Sequence, residues 1–117
     1  MTGKIDIEND NLVFTLTGVD KVLALKSKLS IPLNHVKSVS TDQADWNYFK
    51  MLKVMGANIP GIIVDGMFLS KEGLLFYDMH DPNKCITVEL ENEKYKKVIF
   101  EVPDKVAVAK MIQERLK

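Results

Sequence analysis

From residue 62 onward the chain alternates apolar and polar side chains in short runs, and each run ends in turn-forming residues. Residues 62–70, 74–79, 85–91 and 98–102 follow one another at spacings of about ten residues. Lys71-Glu72-Gly73, His80-Asp81-Pro82-Asn83 and residues 92–96 separate them. In the third run Ile86, Val88 and Leu90 alternate with Thr87, Glu89 and Glu91. Val98, Phe100 and Val102 repeat the apolar face in the fourth. A period of two suits a strand buried on one side, because successive side chains leave a strand on opposite faces. Short strands joined by tight turns predict an antiparallel meander that becomes a sandwich or barrel.

The N-terminal part carries the same signal. Ile5 and Ile7 share one side of a short extended segment, Asn9-Asp10-Asn11 is turn chemistry, and Leu12, Phe14 and Leu16 mark a second strand. Leu29, Ile31 and Leu33 alternate, and Val36 and Val39 continue this strand to about residue 41. Pro32 lacks a ladder donor, so the strand lies at an edge or bends there. Residues 19–26 fit one or two helical turns, and Val22-Leu23-Ala24-Leu25 fits a buried strand equally. The period changes at the end of the chain. Asp104 can cap a helix over residues 104–116, whose Val108, Ala109, Ile112 and Leu116 fall on one face.

Residues 43–61 differ from both patterns. Trp46, Tyr48, Phe49, Met51, Leu52, Val54 and Met55 are dense in apolar and aromatic groups. Asp42 can cap a helix over residues 44–55, and Gly56 is placed to stop it. Asn58-Ile59-Pro60-Gly61 is a turn signal.

At 117 residues, with no internal repeat or linker composition, residues 1–117 are expected to form a single domain. Sixteen basic residues balance sixteen acidic ones. The balance is also local: residues 1–60 carry 7 Lys/Arg against 6 Asp/Glu, and residues 61–117 carry 9 against 10. No basic stripe offers the phosphate contacts that drive nucleic-acid binding, and electrostatic attachment to anionic lipid is unsupported for the same reason. No apolar run approaches the roughly 20 residues of a transmembrane helix. The stretch after Met1 lacks the apolar core of a signal peptide. A single cysteine, Cys85, excludes an internal disulfide and a cysteine-rich zinc site. The cytosol is the simplest compartment.

The stretch Ile31-Pro32-Leu33-Asn34-His35-Val36-Lys37-Ser38-Val39 resembles the Ile/Val-Pro-Leu-x-x-Val-x-x-Val segment of small bacterial proteins with a pleckstrin-homology (PH)-like domain. Ile59-Pro60-Gly61 with Gly66 five residues later, Phe76-Tyr77-Asp78, the alternation over residues 86–90 and Val102-Pro103-Asp104 follow in the same order. The resemblance runs from about residue 12 to residue 116. It implies a PH-like antiparallel β-barrel or sandwich of about seven strands, capped by one amphipathic C-terminal helix. It implies no enzymatic activity and no cofactor. The inositide-binding signature of eukaryotic PH domains, Lys…Lys/Arg-x-Arg, does not carry over, since only Lys26-Ser27-Lys28 is near and the chain has no arginine before Arg115. The protein-binding role of PH-like folds needs no such signature.

Three groups of residues are candidates for a function. Trp46, Tyr48, Phe49 and Lys50 combine residue types enriched in interface cores, and they are the expected contact surface for a protein partner or for self-association. The same segment can instead be core, or lie on a membrane surface, for which two lysines are few. The open barrel end near residues 43–61 could hold a lipid or small apolar ligand, which requires a cavity of a few hundred Å³. Last, Asp78, His80 and Asp81 have metal-ligand chemistry at close spacing and would form a metal-dependent active site if they converged. The Asp81-Pro82-Asn83 corner explains the same residues as a turn, so no metal site is expected. Cys85 would need an adjacent base to act as a nucleophile, and is expected to be a buried strand residue. His35 is expected to be exposed in a bend beside Asn34. The overall expectation is a non-catalytic binding or scaffold module.

Overall fold

The computed structural model describes residues 3–16, 28–42, 52–59 and 63–116. Among these residues the chain is mainly β, with nine strands in two sheets and a C-terminal helix. β1 (Lys4–Glu8), β2 (Asn11–Thr15) and β3 (Lys28–Pro32) form a three-stranded antiparallel sheet. Asn9 and Asp10 turn its first hairpin with φ of 51° and 66°. Asn and Asp tolerate that left-handed backbone, which a tight two-residue hairpin requires.

The larger sheet has the order β4-β8-β9-β7-β6-β5. Its strands are β4 (Val36–Ser40), β5 (Leu52–Ile59), β6 (Ile63–Ser70), β7 (Gly73–Met79), β8 (Cys85–Leu90) and β9 (Lys97–Glu101). The turns after β6 and β7 fall at the predicted residues, and Ile86, Val88 and Leu90 are buried as their alternation requires.

Four expectations need correction. The predicted strand over residues 29–41 is two strands. Pro32 ends β3, Leu33–His35 forms a short 3-10 turn, and β4 opens in the other sheet. A residue without an N–H donor cannot carry the ladder onward, so the chain changes sheets there. Residues 52–55 are strand and not helix: β5 pairs antiparallel with β6 from Leu52↔Leu69 to Ile59↔Ile63. A register shift between Lys53 and Met55 breaks the period-two signal, and tertiary pairing overrides the local pattern. The meander is interrupted as well. β8 and β9 form an antiparallel pair, and β9 then lies parallel to β7, from Leu75↔Lys97 to Asp78↔Phe100. Finally, the described strands number nine where about seven were expected, and they make two open sheets and no closed barrel, which agrees with the sandwich alternative. The ambiguous residues 19–26 lie outside the described residues.

Apolar residues of the two sheets meet in one core cluster that includes Leu12, Phe14, Ile31, Phe76, Val88 and Phe100. Phe14 of β2 and Phe100 of β9 touch edge to face, with centroids 5.3 Å apart, which pins one sheet on the other. The opposite face of the larger sheet carries a second buried cluster of Val64, Phe68, Leu75, Tyr77, Met79, Cys85 and Ile99. Strands β7 and β9 are therefore buried on both faces.

Helix α1 (Lys105–Arg115) begins as the sequence predicts, with Asp104 Oδ1 accepting the Ala107 N–H at 3.1 Å. It packs against β4 and β8, burying Ala109 and Ile112. Lys105 Nζ donates to the Thr41 carbonyl at 2.7 Å and ties the start of the helix to the end of β4. No helix among the described residues is long and apolar enough to cross a membrane.

Candidate metal centre

Lys71 and Glu72 turn the chain between β6 and β7, with Gly73 at φ 128° opening the return strand. Glycine adopts that backbone without steric penalty. The two-residue turn fixes the register, from Ser70↔Gly73 at one end to Val64↔Met79 at the other. Asp65 and Asp78 are thereby placed directly opposite one another. Opposed residues share a face of the sheet. His80 follows Asp78 by two residues, just past the end of β7, and returns to the same side.

One ligand atom from each of Asp65, Asp78 and His80 lies within 4.8 Å of the other two. Asp65 is 0% exposed and Asp78 1%, while His80 is half-buried. An ion with bonds of about 2.1 Å holds its ligand atoms no more than about 4.2 Å apart, a separation inside that limit. Carboxylates removed from water require compensating positive charge or protons.

Of Asp78, His80 and Asp81, the grouping set aside above in favour of a turn, Asp78 and His80 come together with Asp65 and not with Asp81. Asp81 is engaged in its own turn: its Oδ1 accepts the Asn83 N–H at 2.9 Å, capping the 3-10 turn of Pro82–Lys84. Its place beside the imidazole is taken by Asp65. Sequence spacing could not reveal Asp65, which is thirteen residues from Asp78. The one available signal was the hairpin turn, since Asp65 and Asp78 lie at equal distances from Lys71 and Glu72.

A fourth acidic residue supports this corner without joining the trio. Glu101, the last residue of β9, is 5% exposed. Its Oε1 accepts the backbone N–H of His80 at 2.7 Å and of Asp81 at 2.6 Å. Cys85, opposite Glu101 on β8, is buried, and its Sγ donates to the Asp81 carbonyl at 3.4 Å. Burial first, and then the charges of Glu101, Asp78 and Asp81, push its thiol pKa well above the ordinary value. The thiol stays protonated, which is the opposite of what a nucleophile needs.

Trp46, Tyr48, Phe49 and Lys50 lie outside the described residues, as does most of the segment over residues 43–61 expected to bound an apolar ligand cavity. His35 is not exposed as expected. It is half-buried in the turn between β3 and β4, where its Nδ1 meets the Glu93 carboxylate. A cleft of about 720 Å³ opens beside that turn, between Asn11, Leu33, Asn34, Lys37 and Arg115. Arg115 is already paired there with Asp10 at 3.1 Å. No protein-family model matches the chain, and neither the curated proteins nor the solved structures contain a significant match.

Proposed function

We propose that this protein is a non-catalytic binding domain whose centre at Asp65, Asp78 and His80 holds one divalent transition-metal ion. The observation that carries the proposal is the convergence of two buried carboxylates and an imidazole from a hairpin and its exit turn. The donor set selects the class of ion. Calcium takes six to eight oxygens, and magnesium keeps most of its waters. One imidazole with two carboxylates suits zinc, manganese, iron or cobalt better. Deep burial of Asp65 and Asp78 resembles closed structural metal sites more than open catalytic ones, which supports a binding role over an enzymatic one.

The PH-like identity of the domain belongs to the same proposal. Its support is the ordered set of short motifs, the two-sheet β architecture and the helix that follows Val102-Pro103-Asp104. The parallel β7–β9 pairing departs from an all-antiparallel PH-like plan. Protein association through Trp46, Tyr48, Phe49 and Lys50 remains a second proposed role, supported by composition. A cytosolic setting suits the single free cysteine.

The test is calorimetric titration of chelator-treated protein with Zn²⁺, Mn²⁺, Co²⁺, Mg²⁺ and Ca²⁺. Asp65→Asn and His80→Ala are measured beside the wild type, with folding checked by circular dichroism. The expected result is one transition-metal ion per chain in the wild type, and at least a tenfold loss of affinity in each variant. A folded wild type that takes up none of the ions, or variants that bind as well as the wild type, overturns the proposal.

A further inference from the structure

Resting on the metal-site reading above, we infer that Glu101 is the positioning residue of the centre, setting the direction of His80 through the backbone without touching the ion. Two of the three proposed ligands sit on strands. Asp65 is held in β6 and Asp78 in β7 by the sheet ladder. His80 lies one residue past the ladder, since β7 ends at Met79. The backbone N–H groups of His80 and Asp81 both turn to a single acceptor, Glu101 Oε1, at 2.7 and 2.6 Å.

A carboxylate oxygen that accepts two main-chain donors makes two charge-assisted bonds, stronger than neutral ones. They fasten the chain after β7 to the end of β9. β9 already lies beside β7, with Phe100 in register with Asp78. The imidazole is thus launched from a backbone fixed against the same strand that flanks Asp78.

The rest of the turn is arranged to keep that bond in place. The Asp81 carbonyl accepts the Lys84 N–H at 3.0 Å and the Cys85 thiol at 3.4 Å. Val102 N–H donates to the Lys84 carbonyl at 3.1 Å, which closes the turn back onto the end of β9. Glu101 lies between these ties, on the residue before Val102. Groups that orient metal ligands without binding the ion are typically worth about 10- to 100-fold in metal affinity.

The experiment compares Glu101→Gln and Glu101→Ala with the wild type, using Co²⁺ as the probe because its visible spectrum reports ligand geometry. Amide hydrogen exchange at His80 and Asp81 is read in the metal-free proteins. Gln keeps an acceptor oxygen at the same reach. It is expected to hold Co²⁺ within several-fold of the wild type, with the wild-type band pattern. Ala removes the acceptor. It is expected to weaken Co²⁺ by at least tenfold, shift the bands, and speed exchange at both amides. A merely structural role would lower stability and leave the Co²⁺ spectrum unchanged. Should Glu101→Ala not fold, Glu101→Asp, which withdraws the acceptor by one methylene, takes its place with the same expectations. A folded Ala or Asp variant with wild-type affinity and spectrum overturns the inference. A wild type that takes up no Co²⁺ overturns the metal reading instead. In that case, exchange at His80 and Asp81 that is unchanged in the variant also removes the positioning role, and faster exchange retains it for the turn alone.

Discussion

Asp65 and Asp78 face each other across the β6–β7 ladder, and both are buried. Their juxtaposition makes stability depend on what compensates them. An ion that binds the folded chain alone adds about 2.7 kcal/mol at one hundred times its dissociation constant. In a chain of this size that is on the order of 10 °C in melting temperature. We therefore expect a chelator to lower the midpoint of metal-loaded protein by that amount, and zinc or manganese in excess to restore it. Asp78→Asn should remove the response to both additions. Thermal scans with and without metal measure this. A midpoint indifferent to metal in the wild type would count against the centre.

Gly3 is the next test, because it sits where a side chain would not fit. A Cβ there would lie 2.5 Å from the Phe100 ring and 2.8 Å from the Thr15 carbonyl oxygen. Phe100 cannot withdraw freely, since its other neighbours include Phe14 in the packed core. Gly3→Ala should cost about 1–3 kcal/mol, the usual penalty of overpacking. A urea midpoint equal to that of the wild type would show that the start of β1 gives way without resistance.

Much of the fold was legible because its signals are local. The alternation of Ile86, Val88 and Leu90 marks a half-buried strand by itself, and Asp104 followed by Val108, Ala109 and Ile112 marks a capped amphipathic helix. What escaped was non-local. The shift between Lys53 and Met55 hides β5 from any period count, and its pairing with β6 is decided by the partner strand. The parallel β7–β9 contact depends on where β8 goes, which no residue in β7 announces. The candidate site divides in the same way. Asp78 and His80 were visible as neighbours two residues apart. Asp65 became visible only with the hairpin register, and Glu101 only with the parallel pairing that brings β9 to the end of β7.

The helix offers a test of the second layer. Ile112 is fully buried in the shared core, and α1 packs against β4 and β8. Ile112→Ala should cost about 2–5 kcal/mol, the range for deleting a buried aliphatic side chain. Asp104→Ala, which loses only the cap on Ala107, should cost about 1 kcal/mol. Chemical denaturation of both variants checks the order. If the cap variant proved the more destabilised, the helix would be held by its end and not by its face.

Stability should fall at alkaline pH, and Cys85 is the main cause. Its thiol is fully buried and close to the charges of Glu101, Asp78 and Asp81. Burial, then those charges, raise its pKa above the ordinary 9.0, and burial raises that of Tyr95 above 10.0. Both groups are neutral in the folded chain at a pH where the unfolded chain has begun to lose the proton. Above pH 9 the native state therefore binds more protons than the unfolded state, and each step upward favours unfolding. Below pH 9 the contribution is complete and flat. For Cys85 alone the slope approaches about 1.4 kcal/mol per pH unit once the unfolded thiol is ionised. Urea midpoints at pH 7, 8, 9 and 10 should be level at first and then decline, and Cys85→Ala should lessen the decline. A wild type and a Cys85→Ala variant that decline in parallel would show that other groups drive the alkaline loss.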